Sequence, residues 1–273
     1  MRSRLLLILL FVAFLTTGAG SAPEAVYSFS QAQNTEPSPE RWREWPVVPQ
    51  LSEHAVQILT SAAKNASLNP RSISKIGDCQ FTPATFLAGY VKGEYPLPEE
   101  YERTAHYFKE SMVRDSITAA NGLGVSSVLN PMFAAGAGYQ ECQRTETPLD
   151  CELRTRRPVV VLVALGTNWK PRQEITFEEH LRTVVETILA SGALPILATK
   201  ADNIEEDWKL NLANARVAAD YDIPLVNVWR AVQPLPNNGL QAPNSVYLTA
   251  DGWVEQNRAW LRMLDKVRVV LEP

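Results

Sequence analysis

Short apolar runs alternate with longer amphipathic stretches along most of the chain. Four runs have the length and β-branched content of strands, at residues 72–76, 158–165, 194–198 and 223–228. Apolar residues recur at helical spacing over residues 52–63, 98–112, 177–190, 205–220 and 251–270. The run VVVLVAL, which begins at residue 159, is apolar at every position, as is typical of a strand buried on both faces. This alternation predicts a parallel sheet covered by helices on both sides.

The N-terminus has a different pattern. Arginines at positions 2 and 4 precede an unbroken apolar run at 5–15, and small uncharged residues follow. These three parts predict a secretory signal peptide over residues 1–22. An uncleaved anchor is the alternative, although a membrane span needs about 20 apolar residues. Residues 23–50 are rich in Pro, Ser, Gln and Glu, which predicts a linker. We expect a single domain over residues 51–273, on which Trp42 and Trp45 of the linker could pack.

The composition is that of an ordinary globular protein. Charged residues make up 21% of the chain, hydrophobic residues 45%, and the formal net charge is −4. These values exclude a disordered chain and a multi-pass membrane protein, and no second long apolar run remains after signal cleavage. The mild acidity argues against nucleic-acid binding, which usually shows a basic footprint. We therefore expect a protein that is secreted or held at the cell envelope, and its oligomeric state stays open.

The chain has three cysteines. Cys142 and Cys151 close a short loop, and an exported protein meets oxidising conditions. We predict a disulfide between them, which leaves Cys79 unpaired. Cys79 has three interpretations: a small buried side chain, a reactive thiol, or a redox or partner-linked residue.

Polar residues follow each predicted strand. They are GDCQ at 77–80, GTNW at 166–169, TKADN at 199–203 and NVW at 227–229. Ligands of such folds bind beyond the carboxyl ends of the strands, so these residues are candidates for a site. The alternative is that tight turns use Gly, Asp and Asn in any case. In the third segment, we expect Lys200 and Asp202 to pair with each other or with nearby loops.

Four blocks in order, IGDC at 76–79, NGLGVSSVL at 121–129, GTNW at 166–169 and NSVYLT at 244–249, resemble those of the SGNH/GDSL hydrolases. The resemblance covers roughly residues 50–270 and is greatest to exported bacterial members with a Cys-flanked segment before the central strand. It implies a flavodoxin-like, three-layer α/β/α sandwich with a parallel sheet of about five strands. It also implies ester hydrolysis without a metal or an organic cofactor.

The resemblance assigns the site residues position by position. Cys79 stands where the family has its nucleophilic Ser, Asn244 where it has the acid, and Tyr247 where it has the His base. Gly122 and Asn168 match the oxyanion donors, although Asn168 also suits a turn that satisfies backbone groups.

Other positions also depart from the family pattern. Trp169 replaces an Asp, and a second register, with Asp251 at the acid position, puts Val254 at the base position. Neither register contains a His. The histidines, His54, His106 and His180, all fall in predicted helices.

These departures lead to three hypotheses. Tyr titrates near pH 10 and is a poor base at pH 7, so the first is a degenerate domain that acts in binding or assembly. The second is an esterase or acyltransferase that uses Cys79, activated by a following helix N-terminus and a base brought in by folding. The third is a carbohydrate-binding module with an aromatic wall of Trp169, Trp229 and Tyr247. The alternative for Trp169 and Tyr247 is that their rings fill the volume of a vacated site. The expected ligand is an ester or a carbohydrate.

Overall fold

A four-stranded parallel sheet forms the centre of the described protein. The computed structural model describes residues 38–136, 139–168 and 174–272. The strands lie in the order β1 (Asn69–Gly77), β2 (Pro158–Ala164), β3 (Leu194–Ala198) and β4 (Leu225–Val226). The β2 and β3 side chains are buried, apart from the last residue of β2, which explains their unbroken apolar sequence. All four predicted strands are present.

Helices cover both faces of this sheet. They are α1 (Glu53–Lys64), α2 (Ala88–Lys92), α3 (Glu102–Tyr107), α4 (Lys109–Val113), α5 (Pro131–Gly136), α6 (Pro148–Arg156), α7 (Glu174–Ala190), α8 (Lys209–Asp220), α9 (Val228–Val232) and α10 (Ala250–Leu271). Crossovers between parallel strands are right-handed as a rule, so the connections from β2 to β3 and from β3 to β4 place α7 and α8 on one face, where they pack together. On the other face α1 packs against α10. The predicted three-layer α/β/α sandwich is confirmed.

Among the described residues the sheet has four strands, where about five were expected. Residues 116–120 lie along the free edge of β1, and the Gly77 N–H donates to the Thr118 carbonyl at 3.0 Å. Further along this edge, side chains replace a strand: the Ser116 hydroxyl accepts from the Lys75 N–H at 3.3 Å, and the Thr118 hydroxyl donates to the Lys75 carbonyl at 2.7 Å. Because these hydroxyl groups satisfy the backbone N–H and carbonyl of Lys75, residues 116–120 need not form a regular fifth strand beside β1.

Lys75 is a fully buried cation within β1. Its ammonium donates to the carbonyls of Ser111 and Met112, at 3.0 and 3.3 Å, and to that of Arg114. Burial lowers the pKa of Lys75 to about 8, and the Arg114 charge acts in the same direction. The ammonium thus binds the carbonyls at the end of α4, where a helix has no partners of its own.

The single helix predicted over residues 98–112 is divided into three. A 3-10 turn (Glu99–Tyr101) leads into α3, and α4 follows after Phe108. Phe108 is fully buried and lies outside the helical region, at φ −100° and ψ 12°. Phe108 is therefore the residue at which the predicted helix is interrupted.

The second half of the predicted linker packs on the domain. A 3-10 helix over Pro39–Glu44 holds Trp42, and both Trp42 and Trp45 are buried, as was expected of these two residues. The Asn227 amide donates to the Trp42 and Trp45 carbonyls, at 2.8 and 3.2 Å. Residues 38–50 therefore belong to the packed unit. The signal peptide and the first part of the linker lie outside the described residues and stay predictions. None of the helices in the described ranges has the length and hydropathy of a membrane span.

Candidate functional site

The candidate site begins where β1 ends, in a segment that we name the cysteine turn (residues 77–81). A side chain at Gly77 would lie 2.7 Å from the Phe81 Cβ and 2.9 Å from the Ala164 carbonyl, so only glycine fits there. Asp78 is buried, and its Oδ1 accepts from the Gln80 N–H at 3.0 Å, which caps a 3-10 helix of three residues. Cys79 is half-buried. Its Sγ lies 3.9 Å from the Asp78 Oδ1.

Burial and negative charge disfavour ionisation in the cysteine turn. Burial raises the pKa of Asp78 to about 6, although the Gln80 N–H and the Thr167 hydroxyl oppose this shift. Burial also raises the pKa of the Cys79 thiol, and the neighbouring Asp78 carboxylate adds to the effect. The expectation that a helix N-terminus might activate Cys79 is not met, because only a 3-10 turn follows and the pKa rises.

The loop at residues 244–249 lies against the cysteine turn. The Gln80 side-chain amide donates to the Val246 carbonyl at 2.6 Å, so the neighbouring Tyr247 is brought to this edge of the sheet. Tyr247 is 52% exposed, and Asn244 is exposed as well. Within the described ranges, no hydrogen bond joins the side chains of Cys79, Asn244 and Tyr247. The structure thus brings the blocks together without assembling a hydrogen-bonded triad.

In the second register, Asp251 is exposed in the first turn of α10 and Val254 is partly buried in the same helix. Thr249 is the N-cap of this helix, and its hydroxyl accepts from the Gly252 N–H at 3.1 Å. Asp251 is therefore a first-turn residue of α10, where a negative charge interacts favourably with the helix dipole. This role needs no catalytic partner.

The two oxyanion candidates lie in neighbouring loops. The Asn168 amide donates to the Leu123 carbonyl at 3.1 Å, and so joins the second and third blocks. Gly122 is exposed at φ +80°, in a turn closed by the Leu123 N–H and the Ala120 carbonyl at 3.1 Å. The Ala120 N–H in turn donates to the Gly77 carbonyl at 3.2 Å. The Asn168 amide therefore satisfies a loop carbonyl, as the turn interpretation expects, and its role as an oxyanion donor stays a prediction. Trp169 lies outside the described residues.

A buried ion-pair cluster lies at the carboxyl end of β3. The Lys200 ammonium is 4% exposed and lies 2.6 Å from Asp202 Oδ1 and 2.5 Å from Glu205 Oε2. Lys200 and Asp78 line the same small cavity, and the Asp202 charge also acts to raise the pKa of Asp78. The expected pairing of Lys200 with Asp202 is confirmed. Sequence reasoning missed Glu205 and the burial of Asp78. A usable signal for Glu205 was its position five residues after Lys200, which follows the end of β3.

The histidines lie away from the cysteine turn. His106 lines a cleft with Arg71, which precedes Gly77 by six residues of β1, or roughly 20 Å. His54 is in the first turn of α1, whose N-cap serine donates to the Asp222 carbonyl, ahead of β4. His180 lies in the middle of α7. Among the described residues, none of the three histidines has a hydrogen bond to Cys79.

Trp229 is engaged in packing. Its ring centroid lies 5.1 Å from that of Trp42 and 5.9 Å from that of Trp208, and Arg43 lies over the group. Trp229 thus helps to hold the segment that precedes α1. These contacts favour the packing interpretation of Trp229, and the aromatic wall stays a prediction.

One further cluster has the spacing of a metal site in the described ranges. It consists of Cys142, Glu146 and Cys151. Both sulfur atoms, however, are joined in the Cys142–Cys151 disulfide, which confirms the predicted pairing. These sulfur atoms are bonded to each other, so they do not offer the thiolates that a metal would bind.

Comparison with known proteins identifies similar folds. No protein-family model matches the chain, and no curated protein matches it. The acetylxylan esterase Axe2 from Geobacillus stearothermophilus is 16% identical with a TM-score of 0.48, over 73% of this chain and 96% of that one. A GDSL-like lipase from Bacteroides thetaiotaomicron is 15% identical with a TM-score of 0.41, over 80% of this chain and 99% of that one. In fold, this chain is similar to the SGNH/GDSL hydrolases. At these identities the likeness concerns the fold alone, so function has to be argued from the site.

Proposed function

We propose that this chain is an exported, SGNH/GDSL-like protein whose hydrolytic site is degenerate, and which binds an ester-containing ligand without turning it over. The observation that carries the proposal is the state of the cysteine turn. Burial and the Asp78 carboxylate raise the pKa of the Cys79 thiol, whereas a nucleophile needs a lowered pKa or an adjacent base.

The surroundings of Cys79 support this proposal. Among the described residues no hydrogen bond joins a histidine to Cys79, and Tyr247 and Asn244 are exposed. An amide or a phenol is not a base near pH 7, so neither Asn244 nor Tyr247 would activate water to release a thioester formed at Cys79. Export is supported by the Cys142–Cys151 disulfide, because disulfides persist in oxidising compartments.

A second candidate is a cysteine-based esterase or acyltransferase. It is favoured by the half-exposed thiol of Cys79 and by the 3.9 Å separation between its Sγ and the Asp78 Oδ1. In this alternative Asp78, whose pKa is raised to about 6, would accept the thiol proton. The same carboxylate disfavours the thiolate that forms, which is why we place this candidate second.

The experiment is hydrolysis of 4-nitrophenyl acetate by the purified protein, beside Cys79→Ala. We expect both to release nitrophenol at the background rate. Turnover that is lost in Cys79→Ala would replace the proposal with the second candidate. A single stoichiometric burst would show a reactive thiol without deacylation, and would correct the proposal on that point.

A reconstruction tests the assignment of the positions. The combined change Cys79→Ser, Asn244→Asp and Tyr247→His restores the residue types of the family at the matched positions. We expect detectable esterase activity from this variant and none from Cys79→Ser alone, because the members of a triad act as a unit. A folded but inert triple variant would refute the register.

A further inference from the structure

A small cavity lies behind the cysteine turn, at the carboxyl ends of β2 and β3. Its volume, taken for the centre of a water molecule, is about 10 Å³, which is close to the space that a single water needs. Every lining residue except Ala164 is buried, so the cavity is separated from bulk solvent. Its polar lining is formed by Asp78, Gln80, Thr167, Thr199, Lys200 and Gln256.

Two of these side chains carry a buried polar atom that is unpaired among the described residues. Asp78 and Gln256 are 1% and 3% exposed. No hydrogen bond of normal geometry reaches the Asp78 Oδ2 or the Gln256 Nε2 from the part of the chain that the structure describes. Buried polar groups in folded proteins are usually satisfied by the protein or by an ordered water. One acceptor and one donor in the lining of the same cavity are suitable partners for such a water.

Lys200 supplies a third partner. Its ammonium has three N–H groups, and it contacts the Asp202 Oδ1 at 2.6 Å and the Glu205 Oε2 at 2.5 Å. These two contacts leave one N–H, and Lys200 lines the same cavity as Asp78. A water there can accept from Lys200 and Gln256 and donate to Asp78. Buried waters make about three hydrogen bonds, so the site is complete.

The charges around the cavity favour a neutral ligand. The Lys200 ammonium would repel a metal ion, and the Asp78 carboxylate would repel an anion. Within the described ranges, the group with the spacing of metal ligands consists of Cys142, Glu146 and Cys151 instead. A neutral molecule of this size that both donates and accepts hydrogen bonds is water.

We propose that one water molecule binds in this cavity and joins Asp78 to Lys200 and Gln256. Gln256 and Lys200 are then positioning residues of the cysteine turn, because they act on Asp78 through the water. The inference concerns the same turn as the proposed function but does not depend on it. The cavity would bind water whether or not the thiol reacts.

The other contacts of Asp78 show what the water would support. The Asp78 Oδ1 accepts from the Gln80 N–H at 3.0 Å and lies 3.9 Å from the Cys79 Sγ. The Gln80 side chain donates to the Val246 carbonyl at 2.6 Å. A carboxylate that is bonded at both oxygens therefore holds the thiol and the loop at residues 244–249 in one arrangement.

The titration of Asp78 reports whether the water is bound. Burial raises the pKa of Asp78 to about 6. Hydrogen bonds to an ionised carboxylate favour that form, so a water that donates to the Oδ2 lowers the pKa, and its loss should raise the pKa further. The groups that face this carboxyl, from the turn itself, from the ends of β2 and β3 and from α10, are Cys79, Gln80, Thr167, Lys200, Asp202 and Gln256.

The experiment is an NMR titration of the Asp78 carboxyl carbon in protein with isotope-labelled aspartate, with Asp78→Asn to assign the signal. Gln256→Leu removes the amide, and Val228→Ile adds one carbon to an apolar side chain of the lining, so each should displace the water. We expect Asp78 to bind its proton about tenfold more tightly in both variants. The matched controls are Gln57→Leu, at an exposed position of α1, and Val232→Ile, buried in α9 outside the lining; both should titrate as the wild type does.

A crystal structure of the wild type tests the site directly. It should show one density peak within about 3.2 Å of the Asp78 Oδ2, the Gln256 Nε2 and the Lys200 Nζ. An empty cavity, a direct hydrogen bond between Asp78 and Gln256, or a peak surrounded by five or more oxygen atoms, as for a metal ion, would overturn the proposal. So would a titration of Asp78 that is unchanged in either lining variant or altered equally in the controls. Turnover in the ester assay would refute the proposed loss of catalysis and leave these results unaffected.

Discussion

Replacement of Lys200 by methionine tests whether the charge cluster at the end of β3 is balanced by one buried ammonium. Lys200, Asp202 and Glu205 side chains are 4%, 1% and 1% exposed, and the ammonium contacts both carboxylates. Methionine retains most of the volume of lysine and removes only the positive charge. The change therefore leaves two buried carboxylates without their counterion.

The expected cost follows from this burial. Removal of one partner of a buried ion pair destabilises a protein by about 3–5 kcal/mol, because the remaining charge is uncompensated. For a domain of this size, such a loss lowers Tm by roughly 10 °C. Lys209→Met is the matched control: Lys209 is 62% exposed, pairs with Asp207, and should cost less than about 1 kcal/mol.

The assay is urea unfolding followed by tryptophan fluorescence, with the slope of the transition compared between variants. Because the loss comes from uncompensated charge, Lys200→Met combined with Asp202→Asn and Glu205→Gln should recover part of it. A cost for Lys200→Met that equals that of Lys209→Met would refute the reasoning. In that case, the buried carboxylates would not depend on the ammonium.

Three further changes test other parts of the structure. Folding raises the pKa of Asp78 from 3.8 to about 6, so the wild type loses about 3 kcal/mol of stability as pH rises from 4 to 7. Asparagine does not titrate, so Asp78→Asn should gain that amount relative to the wild type over the same range. A difference in urea unfolding that does not depend on pH would contradict this. The double change Cys142→Ala and Cys151→Ala removes a disulfide between residues that are 9 apart in sequence, and should lower the free energy of unfolding by about 2.6 kcal/mol. Cys79→Ala keeps this disulfide, so reductant should destabilise it as much as it destabilises the wild type. Trp42→Ala should cost about 3–5 kcal/mol in thermal unfolding; a negligible loss would mean that the segment before α1 does not contribute to the core.

The buried strands of the fold could be predicted because the residues at buried positions are apolar. Strands β2 and β3 are covered on both faces, so nearly every position is apolar and the run cannot be mistaken for a loop. The sequence does not indicate in the same way how the edge of β1 is satisfied. There, Ser116 and Thr118 satisfy backbone groups with their hydroxyls, and a sequence of Ser, Thr and Ala does not distinguish this from an exposed turn.

Buried charge was the part of the site that sequence could not supply. Lys75 and Lys200 look like surface lysines in the sequence, and only the folded chain shows that carbonyl groups surround one and carboxylates the other. The same applies to Asp78, whose burial raises its pKa although its neighbours in sequence are ordinary turn residues. Pattern reports which positions are apolar, whereas the burial of a charged side chain depends on segments far apart in the chain, as the carbonyls from the segment at residues 111–114 around Lys75 show.

These buried charges bear on why a single substitution at Cys79 should not restore hydrolysis. Asp78 lies beside the thiol, and an ionised carboxylate at that position opposes any negative charge that develops on a nucleophile at residue 79. Serine in place of Cys79 would meet the same neighbour and would have a higher intrinsic pKa. A histidine that takes the proton of the nucleophile becomes positive and so offsets the Asp78 carboxylate. Position 247 suits such a histidine, because the hydrogen bond between Gln80 and Val246 brings it to the edge of the sheet at which Cys79 lies. Under the proposed function, the base rather than the nucleophile is therefore the decisive loss.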